Sequence, residues 1–260
     1  MTDDATLYAR MLGGMEAFFG LAGDTSPGGF TIRRTGVLAS VCPEMSHRSV
    51  FNSVVYRSTP RLEAALDELA DVYAHAGVAA WTVWTPEPDA GARDALRRSG
   101  HRLDASPQAM AAPLDEIDLT DGAGGIEWER ADGAEEMCAV LGAAFGWDPG
   151  PASAVFARLP QRGHVYVARL GGRAAACVAA LDAEGDCAVF NVGTLPEARG
   201  RGLGTALMRQ ALADARRRGC ATTSLQATGM GRPIYARLGY RELGVIEMWE
   251  RRRGRRQDGT

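Results

Sequence analysis

Apolar residues recur at helical spacing over residues 5–20, and that stretch predicts a helix. Residues 31–40 and 49–56, rich in Val, Ile and Phe, predict strands. Between 61 and 76, Leu62, Ala65, Leu66, Leu69, Val72 and Tyr73 share one face of a helix that Gly77 ends. A strand at 79–85, a helix at 89–99 stopped by Gly100, and one more strand running to Leu114 complete the first half. Residues 115–125 are polar and glycine-rich, the best linker candidate. The expected division is a domain at 1–120 and another at 125–260.

Beyond the linker the pattern resumes in a fuller form. It predicts a strand at 126–130, helices at 134–145 and 151–159, and a three-strand meander at 164–170, 173–183 and 187–195. Gly171-Gly172 and Glu184-Gly185 supply the turns of the meander. A helix at 203–218 ends at Gly219, followed by a strand at 221–227, a short helix at 232–238 and a last strand at 243–250. The run Arg251-Arg-Arg-Gly-Arg-Arg256 reads as a solvated basic tail.

The two halves echo each other. Val50-Phe51-Asn52 recurs as Val189-Phe190-Asn191 at an offset of 139. In each case the triplet leads into a helix closed by glycine, then a strand, then a short helix closed by Gly100 or Gly239. Identities are few, but order and spacing predict an internal duplication.

Composition narrows the chemistry. The 260-residue chain is long enough for two domains and, at 46% hydrophobic and 23% charged, can bury a sizeable core. A net charge of -3 gives no reason to expect nucleic acid, and no apolar run is long enough to span a membrane. The start, Thr2-Asp3-Asp4, is acidic rather than basic like a signal peptide, which points to the cytoplasm. All 29 basic residues are arginine, which excludes a lysine Schiff base, a lysine nucleophile and a P-loop. Cys42, Cys138, Cys177, Cys187 and Cys220 form no C-x-x-C pair and read as small buried hydrophobes. The four histidines are scattered and no G-x-S-x-G is present, so neither a metal nor a serine nucleophile is expected.

One segment carries a specific signal: Val192-Gly-Thr-Leu-Pro-Glu-Ala-Arg-Gly-Arg-Gly-Leu-Gly-Thr-Ala-Leu207. A strand ends near Pro196, a turn rich in Arg and Gly follows, and a long helix begins. Gly200, Gly202 and Gly204 let consecutive N–H groups point at one site, and the helix N-terminus adds free donors and partial positive charge. Such a cradle suits a pyrophosphate, and Arg199 and Arg201 add charge for it. The dinucleotide fingerprint needs G-x-G-x-x-G, whereas these glycines run G-x-G-x-G. A plain flexible turn would not need three alternating glycines and two arginines.

Arg199-x-x-Gly202-x-Gly204 after a strand resembles the acetyl-CoA-binding signature of the GNAT superfamily of N-acyltransferases. Pro233-Ile-Tyr-Ala-Arg-Leu-Gly-Tyr240 resembles the family's later Y-x-x-x-G-F/Y motif. The resemblance covers about half the chain, roughly 125–250, and is specific for the cofactor, not the acceptor. It implies a mixed α/β fold, here two GNAT-like halves, with two central parallel strands that splay apart. The pantetheine arm of acetyl-CoA would pair with main chain at Val192, Gly193 and Thr194, and its phosphates would meet Arg199, Gly200, Arg201, Gly202, Leu203, Gly204 and Thr205. Tyr235 would be the general acid toward the departing thiolate, and main-chain N–H near Val192 would meet the oxyanion. Gly193 also fits a plain β-bulge, and Tyr235 a core aromatic on a short helix.

No general base stands out. Asp182, Glu184 and Asp186 fall at a hairpin turn, Glu197 falls in the phosphate turn, and Asn191 is the one amide side chain inside the central strand. Asn191 could orient a water or the acceptor, or be a satisfied core amide. In the first half Arg57-Ser-Thr-Pro-Arg-Leu62 stands where the glycine cradle should be, and Leu96 replaces the tyrosine. Pro60 removes a donor and Leu62 adds bulk, so this half is expected to lack the cofactor and to wall the acceptor pocket. Trp81 and Trp84, three apart on a strand, should face opposite sides. The expected activity is acyl transfer from acetyl-CoA to a small-molecule amine, without a metal. The alternatives are acetylation of a protein N-terminus or lysine, and a non-catalytic acyl-CoA-binding regulator.

Overall fold

A computed structural model describes residues 2–120 and 125–253; part of the 115–125 linker and part of the basic tail lie outside the described residues. The chain opens with helix α1 (Asp4–Thr25), whose N-cap Asp3 accepts from Thr6 N at 2.7 Å. Then come β1 (Phe30–Arg34), β2 (Val37–Val41), β3 (Ser53–Tyr56), α2 (Thr59–His75), β4 (Ala80–Pro86), α3 (Ala90–Arg98), β5 (Arg102–Ala105) and β6 (Gln108–Pro113). The second half comprises β7 (Glu127–Ala131), α4 (Glu135–Phe145), α5 (Pro149–Val155), α6 (Leu159–Arg162), β8 (His164–Leu170), β9 (Arg173–Ala183) and β10 (Asp186–Thr194). It ends with α7 (Leu203–Arg218), β11 (Thr222–Ala227), α8 (Arg232–Leu238) and β12 (Arg241–Arg252).

Four expected elements are subdivided. The strand at 31–40 is a hairpin, because Gly36 turns the chain at φ 73°. Residues 49–51 form a 3-10 turn ahead of β3. Ser106-Pro107 divides the strand toward Leu114 into β5 and β6, and the helix at 151–159 is α5 followed by α6. The β8 and β9 meander strands, α7 and α8 have the expected bounds.

The sheet order is β1-β2-β3-β4-β12-β6-β11-β10-β9-β8-β7, with β5 on β12. Each half contains an antiparallel run, β1-β2-β3 or β8-β9-β10, whose last strand pairs parallel with the strand after a crossover helix. That shared topology is what a duplication predicts. The halves are nonetheless interlocked. β6, from the first half, pairs antiparallel with β11, and β12, from the second, pairs with β4. Each half therefore sends its final strand into the other half's sheet, and β6 and β12 pair with each other at the centre.

α1 locks the seam. Its Met15, Phe18 and Phe19 share one apolar core with Phe51 and Trp84 of the first half and Met137 and Leu141 of α4. The helix can lie this close to the sheet because Gly14 has no side chain: a Cβ there would sit 2.4 Å from the Ala188 Cβ on β10. Phe18 stacks on Phe190 with ring centroids 3.9 Å apart. A second core lies between the sheet and α7, and a third between the sheet and α2 and α3. Trp84 belongs to the α1 side and Trp81 to the α2 side, stacked on Tyr73, so β4 presents its tryptophans to opposite faces as expected.

Candidate active site

β10 and β11 pair only at Asp186↔Thr222, Cys187↔Thr223 and Ala188↔Ser224, then separate while both strands continue. At the fork's base the buried Asp186 accepts from Thr222 Oγ1 at 2.7 Å and Ser224 Oγ at 2.6 Å. Above it, β10 loses register with β9 between Phe190 and Gly193, where Asn191 and Val192 together oppose Val178. Asn191 takes φ 52°, a left-handed conformation that Asn tolerates better than most residues. Main chain on the β11 side of this bulge is thus left without a strand partner. Gly193 lies beneath α4: a Cβ would come within 3.0 Å of Leu141 Cδ2, so packing accounts for this glycine.

The open end of the fork meets the start of α7. Gly202 is the N-cap at φ 75° and no side chain caps the helix; Gly200 is also left-handed, at φ 76°. A Cβ on Gly204 would press on Thr194 Oγ1 at 3.3 Å, so this glycine brings α7 close to the end of β10. Leu203 anchors the helix in the α7 core, while Thr205 is half-buried beside the turn. Arg199 and Arg201 are exposed and enter no ion pair among the described residues. Backbone donors, the helix dipole and two exposed guanidinia outside any ion pair thus fall within the turn from 199 to 205, and the residues present fit a pyrophosphate group.

Tyr235 is on α8, beyond the loop that leaves β11, with its ring edge-on to Tyr240 at 5.9 Å. It is 9% exposed, and burial pushes its hydroxyl up to about 12. Its hydroxyl has no hydrogen-bond partner among the described residues. Val192 packs with the same α7-side core.

Residues 161–242 match the family model of the acetyltransferase (GNAT) domain. The match to the GNAT family thus lies wholly within the C-terminal half. The fold of the whole chain is similar to a GCN5-related N-acetyltransferase from Kribbella flavida, with 20% identity, 96% of this chain and 97% of that one covered, and a TM-score of 0.67. A second such protein, from Sphaerobacter thermophilus, is 19% identical with a TM-score of 0.58 over 84% of this chain and 82% of that one. A tandem GNAT protein from the clavulanic acid biosynthesis pathway is similar over 95% of this chain and 96% of its own, at 14% identity and a TM-score of 0.58. The chain thus shares its overall fold with a tandem GNAT protein. Among curated proteins no sequence matches it.

None of the four carboxylates considered as a base faces the bulge. Burial alone would raise Asp182, but hydrogen bonds from Arg218, at 2.6 and 2.9 Å, and from His164 hold it well below the usual carboxylate range. Glu184 occupies the left-handed turn position beside Gly185. Asp186 is committed to the fork's base, where burial raises it, and Glu197 is exposed in the 3-10 turn Pro196–Ala198.

The first half has the same fork, closed by its own side chains. β3 and β4 pair only at Ser53↔Thr82 and Val54↔Val83. Ahead of α2 sits the Asp89 carboxylate, which accepts from Tyr56 Oη at 2.7 Å, Thr59 Oγ1 at 2.6 Å and Ala92 N at 3.0 Å. A negative charge therefore stands where a phosphate would approach. Arg57 points away, paired with Glu16 at 2.7 Å, and Leu96 is fully buried. The sequence shows Pro60 and Leu62; the role of Asp89 needed the fold, because it comes from the turn before α3.

Proposed function

We propose that this protein is an acetyl-CoA-dependent N-acyltransferase that acts on the amine of a small molecule. The reading rests on the β10–β11 fork lying between an uncapped, glycine-lined helix N-terminus and Tyr235. Bound acetyl-CoA supplies an activated acyl group with a good leaving thiolate. Arg199, Arg201 and the N–H groups of Gly200 to Thr205 hold its phosphates, and strand main chain at Val192, Gly193 and Thr194 aligns its pantetheine arm. An amine reaching the thioester carbon by direct attack needs no covalent enzyme intermediate and no metal.

Tyr235 stays protonated throughout the neutral range. A phenol near 12 is a weaker acid than a thiol of reference value about 8.5, so full proton transfer to the thiolate is uphill. Its hydroxyl therefore works chiefly as a hydrogen-bond donor to the departing sulfur. The amine's proton leaves through water, since Asp182 and Asp186 are committed to other partners and Glu184 and Glu197 lie in turns.

The acceptor side favours a small molecule. α1 crosses over β10, and the α4–α5 loop is tied to the first half by Arg48 Nη2 donating to Gly146 O. Packing of α1 and the first half against this side supports a small acceptor over a polypeptide. Five free cysteines, four of them buried and Cys220 half-buried, support a cytoplasmic setting. Release of the CoA thiol from acetyl-CoA, measured with a panel of small primary amines and with lysine-containing peptides, tests the assignment. Turnover with small amines alone supports it, whereas turnover with peptides alone, or with neither, sinks it.

A further inference from the structure

The duplicated asparagines offer an internal comparison. In the first half Asn52 is fully buried and its amide is spent on the backbone: Oδ1 accepts from Cys42 N at 2.8 Å, while Nδ2 donates to Met45 O at 3.1 Å and Arg48 O at 3.4 Å. It is the residue that holds the 42–52 connection in shape. Its counterpart Asn191 does none of this. The Asn191 Nδ2 is buried and has no hydrogen-bond partner, a cost of about 1–3 kcal/mol for a donor removed from water. The same residue also carries a left-handed backbone at the bulge. A half that has lost its cradle uses the amide structurally, and the half that has the cradle keeps it unspent.

Position narrows what the amide could meet. Phe190 faces α1 through its stack on Phe18, and the missing side chain of Gly193 points at Leu141 and Val140 of α4. Val192, the second bulge residue, packs on the opposite, α7 side. Asn191 and Val192 together oppose Val178, which lies in the α7-side core while its neighbours Cys177 and Ala179 lie in the α1 core, and this sets Asn191 on the α7 side of the fork, toward the pantetheine rather than α1. Burying an idle donor next to the main chain of Val192 is wasteful unless an acceptor oxygen arrives there with the ligand.

We propose that Asn191 Nδ2 donates a hydrogen bond to the carbonyl oxygen of the bound thioester, as a side-chain member of the oxyanion hole. This rests on the acetyl-CoA reading above. When the amine lone pair adds to the carbonyl carbon, the π pair moves onto that oxygen, where Nδ2 meets the developing charge. The pair then returns as the C–S bond breaks, the sulfur departs with its electrons, and the nitrogen loses its proton to water. One well-placed donor of this kind contributes about 10²–10³-fold to turnover.

The test is isotope-edited infrared spectroscopy of acetyl-CoA labelled with carbon-13 at the carbonyl, bound to the full chain and to the Asn191→Gly and Asn191→Asp variants. Glycine keeps the left-handed backbone without an amide, so the variant is expected to fold with unchanged or higher stability. Wild type should shift the carbonyl band below its position in free acetyl-CoA. Asn191→Gly should lose part of that shift, with affinity weakened less than about tenfold, the size of one neutral hydrogen bond. Asn191→Asp, which sets a negative charge against the oxygen, should lose more. Identical bands in wild type and Asn191→Gly would overturn the role of Asn191 while leaving the acetyl-CoA reading intact. Failure of wild type to bind acetyl-CoA would overturn both.

Discussion

At the scale of single residues, chemical type told less than hydrogen-bond accounting. Asn52 and Asn191 stand in the same Val-Phe-Asn triplet, yet one holds three backbone groups and the other holds none. Replacing Asn52 with Ala strands buried donors and acceptors and is expected to cost about 2–4 kcal/mol in urea unfolding. Asn191→Gly is expected to cost nothing or to stabilise, since there is no partner to strand and glycine keeps φ 52° without strain. Tyr235 belongs to the same scale. Its raised value means that the neutral phenol is favoured in the fold, so its donor function is complete below its ordinary value near 10 and fades only as pH approaches about 12. The pH–rate profile should show no alkaline fall below about pH 10 that disappears in Tyr235→Phe, although that variant turns over about 10²-fold more slowly. A limb near pH 8 that Tyr235→Phe abolishes would contradict the assignment.

Among the elements, α7, α8 and the β8–β9 meander were legible because each has strong punctuation: Gly202 and Gly219 around α7, Gly239 after α8, and glycine turns between strands. The glycine turn ahead of α7 was legible for the same reason, since Gly200 and Gly202 take φ 76° and 75° there. The placement of α1 was not. Its Gly13-Gly14 pair marks a close approach, but the partner, Ala188 on β10, lies far along the chain and only the fold brings them together. Gly14→Ala should overpack this contact and destabilise the chain by about 1–3 kcal/mol, a drop of a few degrees in thermal midpoint. Pairing it with Ala188→Gly should restore most of the loss, and no recovery in the double variant would argue against the contact. The Asp89 plug escaped notice for a similar reason: nothing in the turn before α3 announces that its carboxylate closes the first fork.

For the molecule as a whole, the repeat in the sequence announced two similar halves but not their interlock. Long-range strand pairing leaves no local mark, and β6 and β12 look like ordinary last strands of their own segments. Their exchange, with α1 across the seam, means that neither half closes its own sheet. Residues 121–260 expressed alone would lack β6 between β11 and β12 and would expose the surface that α1 covers. That fragment is expected to aggregate or remain unfolded by circular dichroism, and to recover when mixed with residues 1–120. A stable, monomeric, acetyl-CoA-binding fragment would show that the interlock is dispensable.

Acetyl-CoA is expected to enter one fork per chain, between β10 and β11, because Asp89 closes the fork of the first half. Titration calorimetry of acetyl-CoA into the full chain, beside the Gly202→Leu variant, tests it most directly. Leucine at a position with φ 75° strains the turn and crowds the backbone donors ahead of α7 without entering any core. One site per chain is expected in the wild type and none in the folded variant. Two sites, or one site that survives Gly202→Leu, would contradict it.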